Sequence, residues 1–224
     1  MAERYTQAEF ARRHDLPDWS ILLQGLETWW SAPTFSEAAG FAAEVAAAAD
    51  AADHHPDLDV RYPGKVHVRL TSHDAGGLTD RDAKLAGTIS ALAAARGLTA
   101  EPGASTRLEV AIDAIDIPAV LPFWRAALGY RDGQPDDDGV LRELRDPDGI
   151  GPVFWFQQMD EPRPQRNRIH IDVTVPPDEV DARVEAALGA GGTMVNDAFA
   201  RAFWVLADPE GNEACLCTWE DRGG

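Results

Sequence analysis

The chain has 224 residues, 45% of them hydrophobic, which is enough for one large core or two small ones. Its formal net charge of −18 argues against nucleic acid and anionic membranes as partners, because their phosphates attract Lys and Arg and repel carboxylates. No apolar run is long enough to cross a bilayer, and the first residues lack the apolar stretch of a secretion signal. We therefore expect a soluble, cytoplasmic protein.

The first elements along the chain predict a hairpin and then a helix. Two apolar segments flank Gln24-Gly25, a pattern typical of two strands joined by a tight turn. Thr34, with Glu37 three residues later, is typical of a helix start. Apolar residues then recur at helical spacing as far as Ala52, so we expect one face of this helix to pack on a sheet.

A further strand and helix follow. Apolar and polar residues alternate over 65–70, which predicts a half-buried strand, and Pro63-Gly64 supplies the turn before it. Thr79 and Asp82 predict the start of a second helix, which ends at Gly97. Strands and helices in separate runs indicate an α+β fold, with an antiparallel sheet covered by helices on one face.

A composition change divides the chain in two. Residues 97–106 are rich in turn formers and show no apolar periodicity, which is typical of a linker. We expect one domain over 1–98 and another over 106–220.

The second domain contains an internal repeat. The sequence RLEV at 107–110 is echoed by RIHI at 168–171, and DPDG at 146–149 by DPEG at 208–211. Each copy reads as a strand, a helix and further strands, with the DPxG turn before the last one. We expect two paired βαβββ modules, over about 107–159 and 167–219.

Histidines concentrate in the first domain. Four of the six lie close together, at positions 54, 55, 67 and 73. Imidazole exchanges protons near neutral pH, so His54, His55 and His73, at the ends of a helix and a strand, are candidate acid/base residues. Two adjacent histidines cannot easily reach one ion, so we expect no metal there. We interpret His67 as a structural or rim residue.

The run from Asp50 to Asp82 resembles the signature of the pterin-4a-carbinolamine dehydratases. It has an acidic residue four positions before His-His-Pro, an aromatic at Tyr62, a histidine that ends the next strand, and an aspartate in the following helix. The resemblance extends over about residues 16–96.

This resemblance implies a reaction and a set of site residues. These enzymes dehydrate 4a-hydroxytetrahydropterin to quinonoid dihydropterin, supporting pterin recycling, and need no cofactor. The family pattern implies that His54 and His73 transfer protons, and it leaves open which of them is the acid and which is the base. It also implies that His55 and Asp50 hold the pterin. Asp82 matches the family motif as a substrate-binding position, or it caps its helix. The resemblance also implies a homo-oligomer.

Residues 107–219 resemble the glyoxalase, bleomycin-resistance and extradiol-dioxygenase superfamily. The motifs that carry the resemblance are FWR at 123–125, NRIHID at 167–172 and DPEGNE at 208–213. Active members bind a divalent metal through first and last strands of each module. Glu109 and His170 match first-strand positions, but Cys215 stands where a carboxylate is expected. Two candidate ligands favour a metal-free cleft or a structural partner domain.

Other residues of this domain have structural interpretations. Cys215 and Cys217 are too close along one strand for an unstrained disulfide, so we expect reduced thiols. The aromatic residues could line a ligand cleft, but the core is the more frequent place for such side chains. They are Trp155, Phe156, Phe199, Phe203 and Trp204.

Three functions remain open. The leading hypothesis is a lyase that dehydrates a pterin carbinolamine at the first domain. The second is a non-catalytic binding or regulatory module, and the third is a metal-dependent glyoxalase-like enzyme with an accessory first domain.

Overall fold

The chain folds into two compact units, Met1–Arg107 (unit 1) and Leu108–Gly224 (unit 2). Within the described part of the chain, no helix combines the length and the apolar character needed to span a membrane. The computed structural model describes residues 3–136, 138–162, 171–175, 177–218 and 220.

Unit 1 is an antiparallel sheet with helices packed on one face. The strand order is β1-β2-β4-β3, and β5 pairs with the far end of β2. The predicted α+β class, hairpin and helices are confirmed. The elements are α1 (Gln7–Arg13), β1 (Ser20–Leu22), β2 (Gly25–Ser31), α2 (Phe35–Ala52), β3 (Asp57–Arg61), β4 (Lys65–Leu70), α3 (Asp80–Ala95) and β5 (Thr99–Ala100).

The core of unit 1 lies between the sheet and helices α2 and α3. Every second residue of β4 points towards the helices, and the side chains there are fully buried. The helices contribute mainly small residues, so their backbones lie close to the sheet. The buried residues include Val66, Val68 and Leu70 from β4, Phe41 and Val45 from α2, and Ala86, Ile89 and Ala93 from α3.

Helix α1 and the edge strand β3 of unit 1 were not predicted. Helix α1 has only seven residues, yet it begins with a full capping box between Thr6 and Glu9, and Phe10 anchors it in the core at 1% exposure. Strand β3 is an edge strand with partly exposed residues. Both were missed because short or half-exposed elements have weak periodicity.

Two residues on the second face of the sheet are buried as well, while Lys65 and Arg69 of the predicted half-buried strand over 65–70 stay partly exposed. His67 on β4 is 8% exposed, and Glu27 on β2 is 1% exposed. Glu27 accepts from Arg69 Nε (3.2 Å) and Arg107 Nε (2.6 Å), and His67 Nε2 lies 3.2 Å from it. Although burial by itself raises the pKa of Glu27, hydrogen bonds from His67 and Arg107 hold it below its usual value.

Part of the expected linker belongs to this sheet. β5 pairs with β2, and the backbone N–H of Glu101 donates to the carbonyl of Trp29 (2.7 Å). The Glu101 carboxylate also binds Lys65 Nζ on β4 (2.6 Å). Unit 1 therefore includes residues 99–107 as structured backbone.

Unit 2 consists of two βαβββ modules, as the repeat predicts. The sheet orders are β6-β9-β8-β7 and β10-β13-β12-β11, with the first strand of each module parallel to its last. The elements are β6 (Glu109–Ala114), α4 (Ile117–Leu128), β7 (Arg131–Asp132), β8 (Glu143–Arg145), β9 (Val153–Gln158), β10 (Asp172–Thr174), α5 (Val180–Gly189), β11 (Thr193–Asn196), β12 (Phe203–Ala207) and β13 (Glu213–Cys217).

The second DPxG turn connects the two modules. Asp208 accepts from backbone N–H groups inside its own turn and from the indole Nε1 of Trp124 on α4 (2.9 Å). Glu210 accepts from the backbone of Ile115 (2.8 Å) and Asp116 (2.5 Å) at the start of the same helix. These contacts fix the turn of one module against the helix of the other.

We expect Glu27→Gln to lower the free energy of unfolding of unit 1 by roughly 1 to 3 kcal/mol, because it leaves half-buried guanidinium groups without their carboxylate. Urea titration followed by peptide-resolved hydrogen exchange separates unit 1 from unit 2. The matched control is Arg61→Gln, which breaks an exposed pair with Asp59 (3.0 Å) and should change stability by about 0.5 kcal/mol or less. Equal effects of the two substitutions would contradict the structural role of Glu27.

Candidate active site

His54 lies just beyond the C-terminus of α2. The helix ends at Ala52, and Asp53 adopts a left-handed backbone conformation (φ 49°) that turns the chain out of the helix. The backbone N–H of His54 still donates to the carbonyl of Ala49 (3.2 Å). The His54 side chain is only 7% exposed, so the ring points into the protein.

The ring of His54 meets Asp82 in the first turn of α3. His54 Nε2 and Asp82 Oδ1 are 2.8 Å apart, and Asp82 is completely buried. The other carboxylate oxygen accepts from the backbone N–H of Thr79 and the hydroxyl of Ser72, both at 2.8 Å. The helix-cap interpretation of Asp82 is confirmed, since Thr79 and Asp82 form a capping box. A direct contact of Asp82 with substrate does not fit its complete burial.

His73 lies in the turn that follows β4. The turn is closed by the backbone N–H of Ser72, which donates to the carbonyl of Gly77 (3.0 Å), and by Gly76, which donates to His73 (3.2 Å). Gly76 has a positive φ of 68°, a conformation that favours glycine. The His73 side chain is exposed, and its neighbour Ser72 binds Asp82. One carboxylate thus connects His54 with the residue next to His73.

His55 and Asp50 form a second, exposed pair. His55 Nε2 lies 3.0 Å from Asp50 Oδ1, and the side chains are 60% and 78% exposed. These two residues are brought together by the end of α2. Because both face solvent, they are accessible to a ligand at the helix end.

Ser72 was not singled out from the sequence, and Thr79 was singled out only as the start of a helix. A hydroxyl at the end of a strand, directly before a candidate histidine, is the signal that could have identified Ser72. His67 has the structural position expected of it. Its ring lies 4.7 Å from the ring of Trp29 and binds Glu27 on the helix-free face of the sheet.

Of the two candidate metal ligands of unit 2, Glu109 lies in the described part of the chain. Glu109 is exposed at the start of β6 and is in register with Val153 on β9. His170 lies outside the described residues. Among the residues that are described, no group of three or more His, Cys, Asp or Glu side chains is placed to hold a metal ion.

Cys215 occupies the last strand of unit 2, in register with Asp172 on β10. Both cysteines are buried thiols rather than a disulfide, as expected from their spacing. Burial, followed by the nearby carboxylate of Asp172, raises the pKa of Cys215 to about 11. The thiol therefore stays protonated near neutral pH.

The aromatic residues of unit 2 divide between two faces. Phe156 is fully buried, and Trp204 packs against the same core beneath the helices. The interpretation of all five as core is wrong for Trp155 and Phe199, which are 38% and 57% exposed. Phe203 stacks on Phe199 with ring centroids 5.1 Å apart. Successive side chains of a strand point to opposite faces of its sheet, so the neighbours Trp155 and Phe156 differ in burial.

Comparison with known proteins matches the two units separately. The family model of pterin 4 alpha carbinolamine dehydratase matches residues 3–92, and that of a glyoxalase-like domain matches residues 109–217. A Picosynechococcus relative is 43% identical over 93 residues, which are 41% of this chain and 100% of the relative. A Chloroflexus aurantiacus relative is 42% identical over 38% of this chain and 92% of its own length. Both are provisionally named pterin-4-alpha-carbinolamine dehydratase.

The chain belongs to the pterin-4-alpha-carbinolamine dehydratase family. In addition to the part that it shares with these relatives, its residues 109–217 match the model of a glyoxalase-like domain. Among solved structures, a Brucella melitensis transcriptional coactivator/pterin dehydratase is 30% identical over 41% of this chain and 99% of that chain, with a TM-score of 0.37. A Burkholderia phytofirmans glyoxalase/bleomycin resistance protein/dioxygenase family enzyme is 19% identical over 49% of this chain and 95% of that chain, with a TM-score of 0.40.

We expect Cys215 to resist alkylation by iodoacetamide at pH 7.5, because a thiol with a pKa of about 11 is mostly protonated and this one is also buried. Mass spectrometry of the folded protein should show slow labelling of Cys215, and denaturing urea should make labelling fast. Rapid labelling of the folded protein at neutral pH would contradict the assignment.

Proposed function

We propose that unit 1 dehydrates a 4a-hydroxytetrahydropterin to the quinonoid dihydropterin, with His54 and His73 as the proton-transferring residues. The observation that carries the proposal is the contact chain from His54 through Asp82 to Ser72, the residue next to His73. Family membership supports a dehydratase role for this unit.

The reaction requires two coordinated proton movements. The bond between C4a and its hydroxyl oxygen breaks, and a proton must reach that oxygen so that water leaves. The adjacent ring nitrogen loses its proton, and the freed electron pair forms the C=N bond of the product. One histidine in the acid form and one in the base form suffice, because imidazole performs both tasks near neutral pH. The proposal therefore includes no metal and no cofactor.

Asp82 supports this chemistry by orienting His54. An ionised carboxylate only accepts hydrogen bonds, so His54 donates through Nε2, which leaves Nδ1 as the nitrogen available to the pterin. The exposed pair of His55 and Asp50 supplies polar groups that bind the heterocycle in our proposal.

We expect His54→Ala and His73→Ala each to reduce the catalysed dehydration by about 100-fold to 10,000-fold, the usual contribution of a general acid or base. Stopped-flow absorbance measures the decay of a 4a-hydroxypterin generated in place. The matched control is His67→Gln, since His67 binds Glu27 on the helix-free face of the sheet. With its folding verified, this variant should keep the wild-type rate.

Two outcomes would count against the proposal. Wild-type protein that does not accelerate the decay would overturn the assigned activity. Activity that survives both His54→Ala and His73→Ala would overturn the assigned residues.

A further inference from the structure

The first turn of α3 holds three separate segments through three consecutive side chains. Asp80 binds the hydroxyl of Tyr5 (3.2 Å) and Nε2 of His14 (3.1 Å), both in the N-terminal segment. Asp82 holds His54 at the end of α2. Arg81, between them, forms an ion pair with Asp74. Asp80 thus binds the N-terminal segment, and Asp82 binds His54. Arg81 binds the turn that carries His73.

We infer that the Arg81–Asp74 ion pair is a positioning pair that fixes the His73 turn relative to the His54–Asp82 contact. This inference rests on the proposed function of unit 1. Asp74 directly follows His73, and Arg81 directly precedes Asp82. The ion pair therefore joins the residue after His73 to the residue before Asp82, the carboxylate that binds His54.

The ends of the turn are held by side chains, since Ser72 binds Asp82 and Thr79, but its middle lies at the surface. His73 and Asp74 are exposed, and the turn ends in Gly76-Gly77, which have no side chains to restrict the backbone. Its internal bonds are a few backbone contacts such as Ser72 to Gly77. An ion pair to a helix end adds a link from the turn to a rigid element.

The pair is formed at the pH at which the site would work. The hydrogen bond from Arg81 lowers the pKa of Asp74, so the carboxylate is ionised throughout the neutral range. The side chains are 38% and 59% exposed, and exposed pairs contribute little to folding stability. Its loss should therefore alter the geometry of the site while leaving the fold intact.

The test is a double-mutant cycle in the full chain, measured by stopped-flow dehydration of a 4a-hydroxypterin. Arg81→Gln and Asp74→Asn should each lower kcat by about fivefold and change KM by less than about twofold. A factor of about five corresponds to the upper end of the free energy that an exposed ion pair contributes. The double variant should match either single variant. The charge swap Asp74→Arg with Arg81→Asp should restore most of kcat, since an acidic residue is favourable in the first turn of a helix.

The matched control is Arg96→Gln. Arg96 caps the other end of α3 and pairs with Glu44 at 2.7 Å, with side chains 31% and 45% exposed, but it contacts neither histidine segment. Its kcat should equal that of the wild type. Hydrogen exchange of residues 72–78, measured in parallel, should become faster in Arg81→Gln and remain unchanged in Arg96→Gln.

The possible results distinguish a failure of the proposed function from a failure of the positioning role alone. A wild-type protein without dehydratase activity overturns the proposed function together with the positioning role. An active wild type overturns the positioning role alone if Arg81→Gln keeps full kcat and unchanged exchange in the turn, if the single effects add, or if the charge swap fails to restore kcat.

Discussion

The candidate site depends on one buried charge. The carboxylate of Asp82 has no exposed surface, and a charge in such a place is tolerated only when donors surround it. Those donors come from the start of α3 (Thr79), the end of β4 (Ser72) and the end of α2 (His54). The need to satisfy one carboxylate thus brings three chain segments to one point, and two of them carry the candidate histidines.

A second buried carboxylate in unit 1 shows what a purely structural arrangement looks like. Glu27 binds two guanidinium groups in addition to His67, so its charge is already balanced whatever the state of that histidine. In the contacts described for Asp82, His54 is the partner that can supply a positive charge. His54 and His67 therefore bind carboxylates in different surroundings, and among the described contacts only the carboxylate bound by His67 also has guanidinium partners.

Local signals were sufficient to predict most of unit 1. The Thr34 and Thr79 helix starts, the alternation in β4 and the histidine spacing all depend on residues close in sequence, and the structure has the corresponding elements. The features that the sequence did not reveal depend on residues far away along the chain. The burial of His67 requires Glu27 forty positions away, and the exposure of Trp155 depends on which face of its sheet the helices cover. The role of Ser72 likewise appears only when α3 returns to the end of β4.

Both modules of unit 2 contain a DPxG turn, but the first aspartates of the two turns bind different groups. Asp146 accepts backbone N–H groups of its own loop, including those of Ile150 (3.0 Å) and Gly151 (2.6 Å), whereas Asp208 also binds Trp124 of the other module. The second turn thus contributes to the cohesion of the whole unit. The strand that follows the second turn carries Cys215, at the position where the sequence resemblance led us to expect a carboxylate. A thiol with a pKa of about 11 supplies no negative charge near neutral pH, so this position differs from a carboxylate in charge as well as in atom type.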